Sequence, residues 1–168
     1  MNMSNVLYTE EQISKSVAEC VSWIAGIKSR HQELVLCPIM QSSFMFFSDI
    51  CKSLKDDYIT DFAGVMSHDY DHTLDNIYIY KAPNPNLYNN KAVIVLDVVS
   101  YTGNTIKTIS KLVEELGARN VYRCTLFKSQ FCAIQMSWNG FVISDEILYG
   151  YGIDKEGLYR NQTHISYA

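Results

Sequence analysis

Val93-Ile94-Val95-Leu96-Asp97-Val98-Val99-Ser100-Tyr101-Thr102-Gly103-Asn104-Thr105 is apolar and β-branched in its first half, small and polar in its second. An unbroken apolar run of this kind predicts a strand buried on both faces, as in a parallel sheet. Ile106, Ile109, Leu112, Val113 and Leu116 then recur at helical spacing, so the order is strand, tight loop, helix. A loop that opens a helix aims unpaired backbone N–H groups outward, and the helix dipole adds positive potential there. With the hydroxyls of Thr102 and Thr105, the segment Tyr101, Thr102, Gly103, Asn104, Thr105 suits a phosphate group. The plainer alternative is an ordinary βα loop with a Thr cap. Asp97 weighs against it, because a lone carboxylate at the C-terminal end of a buried strand stands where open α/β sheets bind ligands.

On the N-terminal side, Thr9-Glu10-Glu11-Gln12 is a capping box. Ile13, Val17, Cys20, Val21 and Ile24 follow as a helical stripe that ends near Gly26. Glu33 to Ile39 reads as a short strand, with Leu34-Val35-Leu36-Cys37 as its apolar run and Pro38 closing it, followed by a loop at Met40-Gln41-Ser42-Ser43. Phe44, Phe47, Ile50, Cys51 and Leu54 are expected on the inward face of a second helix. Tyr58 to Met66 reads as one strand, and Ile77 to Tyr80 alternates as an antiparallel one. Between them, Ser67 to Asp75 holds His68, Asp69, Asp71, His72 and Asp75; the spacing fits no EF-hand, and a mobile polar loop is the expectation. Val121 to Phe127 is a further strand ending at Lys128, and Phe141–Ile143 and Leu148–Tyr151 complete a short β set.

Alternating strands and helices predict an α/β fold, a mostly parallel twisted sheet with helices on both faces. The loops after Cys37, Asp97 and Phe127 would then face one crevice. The chain of 168 residues is long enough for one domain with a sizeable core, and 48% hydrophobic against 19% charged residues marks it as globular. A net charge of −4 argues against nucleic acid as the main partner, but leaves room for a small anionic ligand. Five scattered cysteines without a CxxC pair read as reduced thiols of a cytoplasmic protein. No signal peptide is discernible, and no apolar run reaches membrane-spanning length.

At these residues the chain resembles a type I phosphoribosyltransferase, closest to the hypoxanthine-guanine branch. The central stretch is similar to that family's phosphoribosyl-diphosphate (PRPP) motif. Tyr149-Gly150-Tyr151-Gly152-Ile153-Asp154 followed by Tyr159-Arg160-Asn161 resembles its C-terminal signature, and Tyr8-Thr9-Glu10-Glu11-Gln12-Ile13 and Phe46-Phe47-Ser48-Asp49-Ile50 resemble their counterparts. The resemblance implies the family fold over residues 1–168, with a small hood built from the N-terminal segment and residues 141–168. It also implies purine salvage: hypoxanthine or guanine displaces pyrophosphate from PRPP with Mg²⁺ present, in a cytoplasmic homodimer or homotetramer. By the same resemblance, Tyr101 to Thr105 hold the 5′-phosphate, and Asp97 faces the ribose hydroxyls. Lys128 reaches the purine 6-oxo group, with Ile147 and Leu148 beside the base; Gln41, Ser42 and Arg160 meet pyrophosphate, and Asp154 helps hold Mg²⁺.

The departures from the family pattern cluster in the site. The second acid of the motif is Val98, and the acid placed to handle the purine N7 proton is Tyr101. A phenol, with an ordinary pKa near ~10, is a poor base at neutral pH. Gln41 replaces the Lys of the pyrophosphate loop and Ser42 its Gly; Gly64 and Met66 stand at two basic positions, His68 at the Tyr of the closing loop, and Ile147 at the aromatic position that stacks on the base. Catalysis by Asp97 and Tyr101 is therefore one expectation. The alternative is an impaired module on the same fold that binds a purine or a nucleoside monophosphate as a sensor.

Overall fold

The computed structural model describes residues 5–66, 77–144 and 146–168. The chain opens with β1 (Val6–Tyr8) and α1 (Glu10–Lys28). Thr9 caps α1 as its capping box requires: Gln12 N donates to Thr9 Oγ1 at 3.3 Å and Thr9 N to Gln12 Oε1 at 2.9 Å. Then come β2 (Leu34–Met40), α2 (Phe44–Ser53), β3 (Ile59–Thr60), β4 (Ala63–Met66) and β5 (Tyr78–Lys81). The second half holds β6 (Ala92–Ser100), α3 (Asn104–Glu115), β7 (Asn120–Ser129), β8 (Trp138–Ile143), β9 (Leu148–Tyr149) and β10 (Ile165–Tyr167).

The main sheet runs β5-β4-β2-β6-β7-β8, with β3 also paired to β2. All its pairings are parallel except β4 with β5. Alternation along the central strands divides the core. Leu34, Leu36, Ile94, Leu96 and Val98 pack with Ile13, Val17 and Ile24 of α1 and Phe46, Phe47 and Ile50 of α2. Val35, Cys37, Val93 and Val95 pack with Ile106, Ile109 and Val113 of α3. Both faces of β6 are thus covered, which is why it is apolar almost throughout. A second, antiparallel sheet has the order β1-β10-β9. Tyr8 of β1 anchors it on the main sheet, its ring 5.3 Å from Phe127 and 4.3 Å from Phe141.

Four local expectations are corrected. Strand β2 continues through Pro38 to Met40. Leu36 O accepts from Asp61 N at 3.1 Å, so the even residues of β2 face β3 and β4. Pro38 falls where the partner changes from one to the other, and its missing N–H removes no ladder bond there. The single strand expected over Tyr58–Met66 is two, broken at Asp61-Phe62. On α2 the inward residues are Phe46, Phe47 and Ile50, whereas Phe44 and Cys51 are exposed. Phe141–Ile143, expected in the hood, belong to β8, which extends the main sheet parallel to β7 because Phe141 stacks on Phe127 at 5.3 Å. The polar segment Ser67 to Asp75 lies outside the described residues.

The break at Asp61 has its own role. Its carboxylate accepts from Asn84 N at 2.6 Å, the Tyr88 hydroxyl at 2.8 Å and Lys81 Nζ at 3.1 Å, tying β5 and the turn after it to the sheet. Burial alone would raise this carboxyl, but these hydrogen bonds and that from the Phe62 amide outweigh burial and hold it below the ordinary range. A depressed acid contributes stability that is complete above its unfolded value of about 3.9 and lost as pH falls through the lower folded value. Asp61→Asn should therefore cost about 1–3 kcal/mol at pH 7. Thermal melts of both proteins from pH 7 to pH 3 check this: the gap should narrow below about pH 4, and a constant gap would assign the loss to packing alone.

Candidate functional site

Three loops leave the C-terminal edge of the sheet, after β2, β6 and β7, and the chain's winding reverses between β2 and β6. That switch point opens a crevice at the strand ends. Strand β6 delivers Asp97, 6% exposed, whose Oδ1 accepts from Val98 N at 2.8 Å. Val98 beside it is fully buried in the apolar cluster of α1 and α2. A carboxylate at that position would lie in the core without solvent, a physical reason for the apolar residue where the family motif has its second acid.

The loop turns at Gly103, whose φ of +87° is left-handed and which caps α3. Thr102 Oγ1 accepts from Asn104 N at 3.2 Å, and Gly103 O accepts from Lys107 N at 3.0 Å. A side chain at 103 need not reach an anion to be harmful, because a Cβ there would collide with Ile134 and Cys132. Tyr101 leaves the loop toward the smaller sheet, and its hydroxyl accepts from Leu148 N at 2.9 Å. Lys128 pairs in register with Ser100 on one side and Val142 on the other. Its ammonium makes no ion pair or side-chain hydrogen bond among the described residues. Ile147 is 56% exposed at the rim.

A second group assembles around Arg160. Its Nη1 donates to Gly152 O at 2.8 Å, its Nη2 donates to Gln41 Oε1 at 3.3 Å, and the same nitrogen lies 2.8 Å from Asp154 Oδ1. Asp154 Oδ2 accepts from Gly157 N at 2.9 Å. Gln41 follows a cis Met40–Gln41 peptide at the end of β2. Gly152, at φ +97°, lies so close that a Cβ would strike the Ser42 carbonyl. Gln41, Ser42, Asp154 and Arg160, distant in sequence, thus share one corner, while Tyr101 and Leu148 share another. On β4, beside β2, a side chain at position 64 would have to displace the Tyr80 ring, which occupies the place of its Cβ.

Two residues without an expected role position this corner. The Tyr151 hydroxyl donates to Asp49 Oδ2 at 2.7 Å, fastening the Gly150–Asp154 turn to α2. Burial first, then the Asp49 carboxylate, push the phenol's pKa up and keep it a donor. Both lie inside the quoted family-like segments, but only their contact reveals what they do. Among the described residues, no group of three His, Cys, Asp or Glu side chains gathers as a metal-ligand set. Asp154 brings a single carboxylate, whose oxygens already meet Arg160 and Gly157, so Mg²⁺ there would be carried mainly by water and a substrate diphosphate, not by a cage built by protein alone.

A phosphoribosyl transferase domain family model matches residues 5–147. The chain is 29% identical over 168 residues to a hypoxanthine-guanine phosphoribosyltransferase of Staphylococcus aureus, covering 98% of this chain and 93% of that protein. It is 26% identical over 165 residues to the hypoxanthine phosphoribosyltransferase of Buchnera aphidicola, covering 95% and 93%. Among solved structures, a hypoxanthine phosphoribosyltransferase from Staphylococcus aureus superposes with a TM-score of 0.87 at 28% identity, covering 98% of this chain and 90% of that one. A hypoxanthine-guanine phosphoribosyltransferase from Bacillus anthracis gives 0.85 at 26% identity, covering 98% and 96%.

Gly103→Val tests the loop. Its backbone is left-handed and its neighbours Ile134 and Cys132 are close, so the cost should appear without any ligand. We expect a loss of about 2 kcal/mol or more in the free protein, with phosphate affinity falling as a consequence. Urea melts and phosphate calorimetry check this; unchanged stability with lost phosphate binding would return the conflict to the anion.

Proposed function

The chain belongs to the phosphoribosyl transferase domain family, and from that premise we propose that it transfers the phosphoribosyl group of PRPP to hypoxanthine or guanine. The purine N9 lone pair forms a bond to C1′ as the C1′–oxygen bond breaks, and the electron pair departs with pyrophosphate. The ring proton passes to solvent, since the position suited to a carboxylate base is Tyr101. The observation that carries this reading is the pairing of Ser100 with Lys128. It sets a cation with no partner among the described residues beside the phosphate loop, where a 6-oxo group would meet it. The names of the relatives, matched over nearly their whole length, favour turnover above binding alone.

The backbone N–H groups of Tyr101 to Thr105, with the Thr102 and Thr105 hydroxyls, would hold the 5′-phosphate, to which the Tyr101 side chain adds nothing, and Asp97 would hold the ribose hydroxyls. Lys128, Ile147 and the Leu148 amide would hold the base, and Gln41, Ser42 and Arg160 the pyrophosphate. Bound Mg²⁺, met by Asp154, would neutralise diphosphate charge. Gln41 brings no charge to an anion that favours charge-assisted donors, and Arg160 already serves Asp154 and Gly152. Catalysis therefore rests on positioning and on few cations. A cytoplasmic location and a homo-oligomeric state complete the proposal.

The test is pyrophosphate release from PRPP with each purine in turn, Mg²⁺ present. We expect IMP and GMP to form, adenine to be refused, and turnover to stay below about 1 s⁻¹, under the usual enzyme range. Lys128→Ala should lower kcat/KM for hypoxanthine about ten-fold or more. Gln41→Lys should lower the KM for PRPP, whereas Val98→Asp should instead unfold the protein, because position 98 is fully buried in an apolar cluster. Absence of any nucleotide product at high enzyme concentration would refute the transferase reading.

A further inference from the structure

Tyr101 stands at the junction of the phosphate loop and the base-binding edge, and its side chain already has an occupation there. The ring is partly buried and packs against the main apolar cluster. Its hydroxyl accepts from the Leu148 amide at 2.9 Å. Strand β9 explains why that amide is available. It is an end strand of the smaller sheet, with β10 taking one of its edges. The neighbouring Ile147 carbonyl is used there, accepting from Ala168 N at 3.0 Å. Leu148, 1% exposed, directs its N–H away from β10. A buried donor on an edge that pairs with no second strand among the described residues needs an acceptor, and the phenol supplies it.

An oxopurine presents the same chemistry as this side chain: a flat aromatic ring with an oxygen acceptor on its rim. We infer that Tyr101 is a built-in occupant of the base pocket. Its phenol takes the place of the oxopurine on the Leu148 amide, so a base binds only after the side chain swings out. The inference rests on the transferase reading for placing the base at Ile147, Leu148 and Lys128. The apparent affinity for base is reduced by the fraction of molecules in which the pocket is open. The affinity for a ligand that touches only the phosphate loop is not. Tyr101 thereby adds a self-inhibitory contact to the position where a carboxylate would have assisted the chemistry.

Tyr101→Phe removes the oxygen and keeps the ring on the core, and Tyr101→Ala removes both. Calorimetry with hypoxanthine, IMP and ribose 5-phosphate on the full chain compares both with the unmodified protein. Hypoxanthine and IMP should bind about three- to ten-fold more tightly to Tyr101→Phe, and more tightly again to Tyr101→Ala. Ribose 5-phosphate should bind all three within about two-fold, because it does not reach Leu148. In the unmodified protein, the Leu148 amide proton resonance should move when hypoxanthine saturates the site, as its acceptor changes. Hypoxanthine binding that is equal or weaker in both variants overturns the inference alone, and the Phe variant keeps this readable even where the Ala variant folds poorly. If no purine or IMP binds any of the three while ribose 5-phosphate does, the inference and the transferase reading fail together.

Discussion

Burial of β6 on both faces is the constraint on which the rest depends. With α1 and α2 packed on one face and α3 on the other, a polar side chain has no place along most of the strand. Polarity begins only where the helices no longer cover it, at Asp97 and then at Ser100 to Thr105. Its neighbours β2 and β7 are held parallel to it by ladder hydrogen bonds, so their polar ends, Gln41-Ser42 and Lys128, arrive at the same edge. The site is a consequence of where a covered sheet runs out of cover.

Within that edge the groups have found partners in one another. Arg160 bridges Gly152, Gln41 and Asp154, and Tyr101 satisfies Leu148. Three of the substitutions relative to the family pattern have a local reason in the packing. Val98 completes an apolar cluster, Gly64 yields space to the Tyr80 ring, and Gln41 offers Arg160 an acceptor where a lysine would offer repulsion. The scaffold is kept while the charges that would grip a diphosphate are thinned, which is why a slow transferase is the reading that fits both the relatives and the site.

Much of the architecture was legible in the chain. The capping box at Thr9, the two-sided apolar pattern of Val93–Leu96 and the helical stripe from Ile106 are local signals, because they follow from periodicity and from backbone groups within a few residues. The phase of α2 was not, because Phe-Met-Phe-Phe is apolar on every side and only contact with Leu34 and Leu36 chooses its inward face. The continuation of β2 through Pro38 was hidden for a similar reason: whether a missing N–H matters depends on what lies opposite.

The sequence by itself determined the α/β order, the strand–loop–helix at Val93–Thr105, the family and the set of candidate residues, since these rest on composition, spacing and motif. Only the tertiary structure decided which candidates meet. Gln41 and Arg160 are 119 residues apart, and Tyr101 and Leu148 are 47 apart. Asp49 and Tyr151 gained a role only when α2 and the C-terminal turn came within hydrogen-bonding reach of each other. Such contacts join elements whose docking is chosen by burial over the whole core, and no local pattern encodes the partner of a side chain that lies across the sheet.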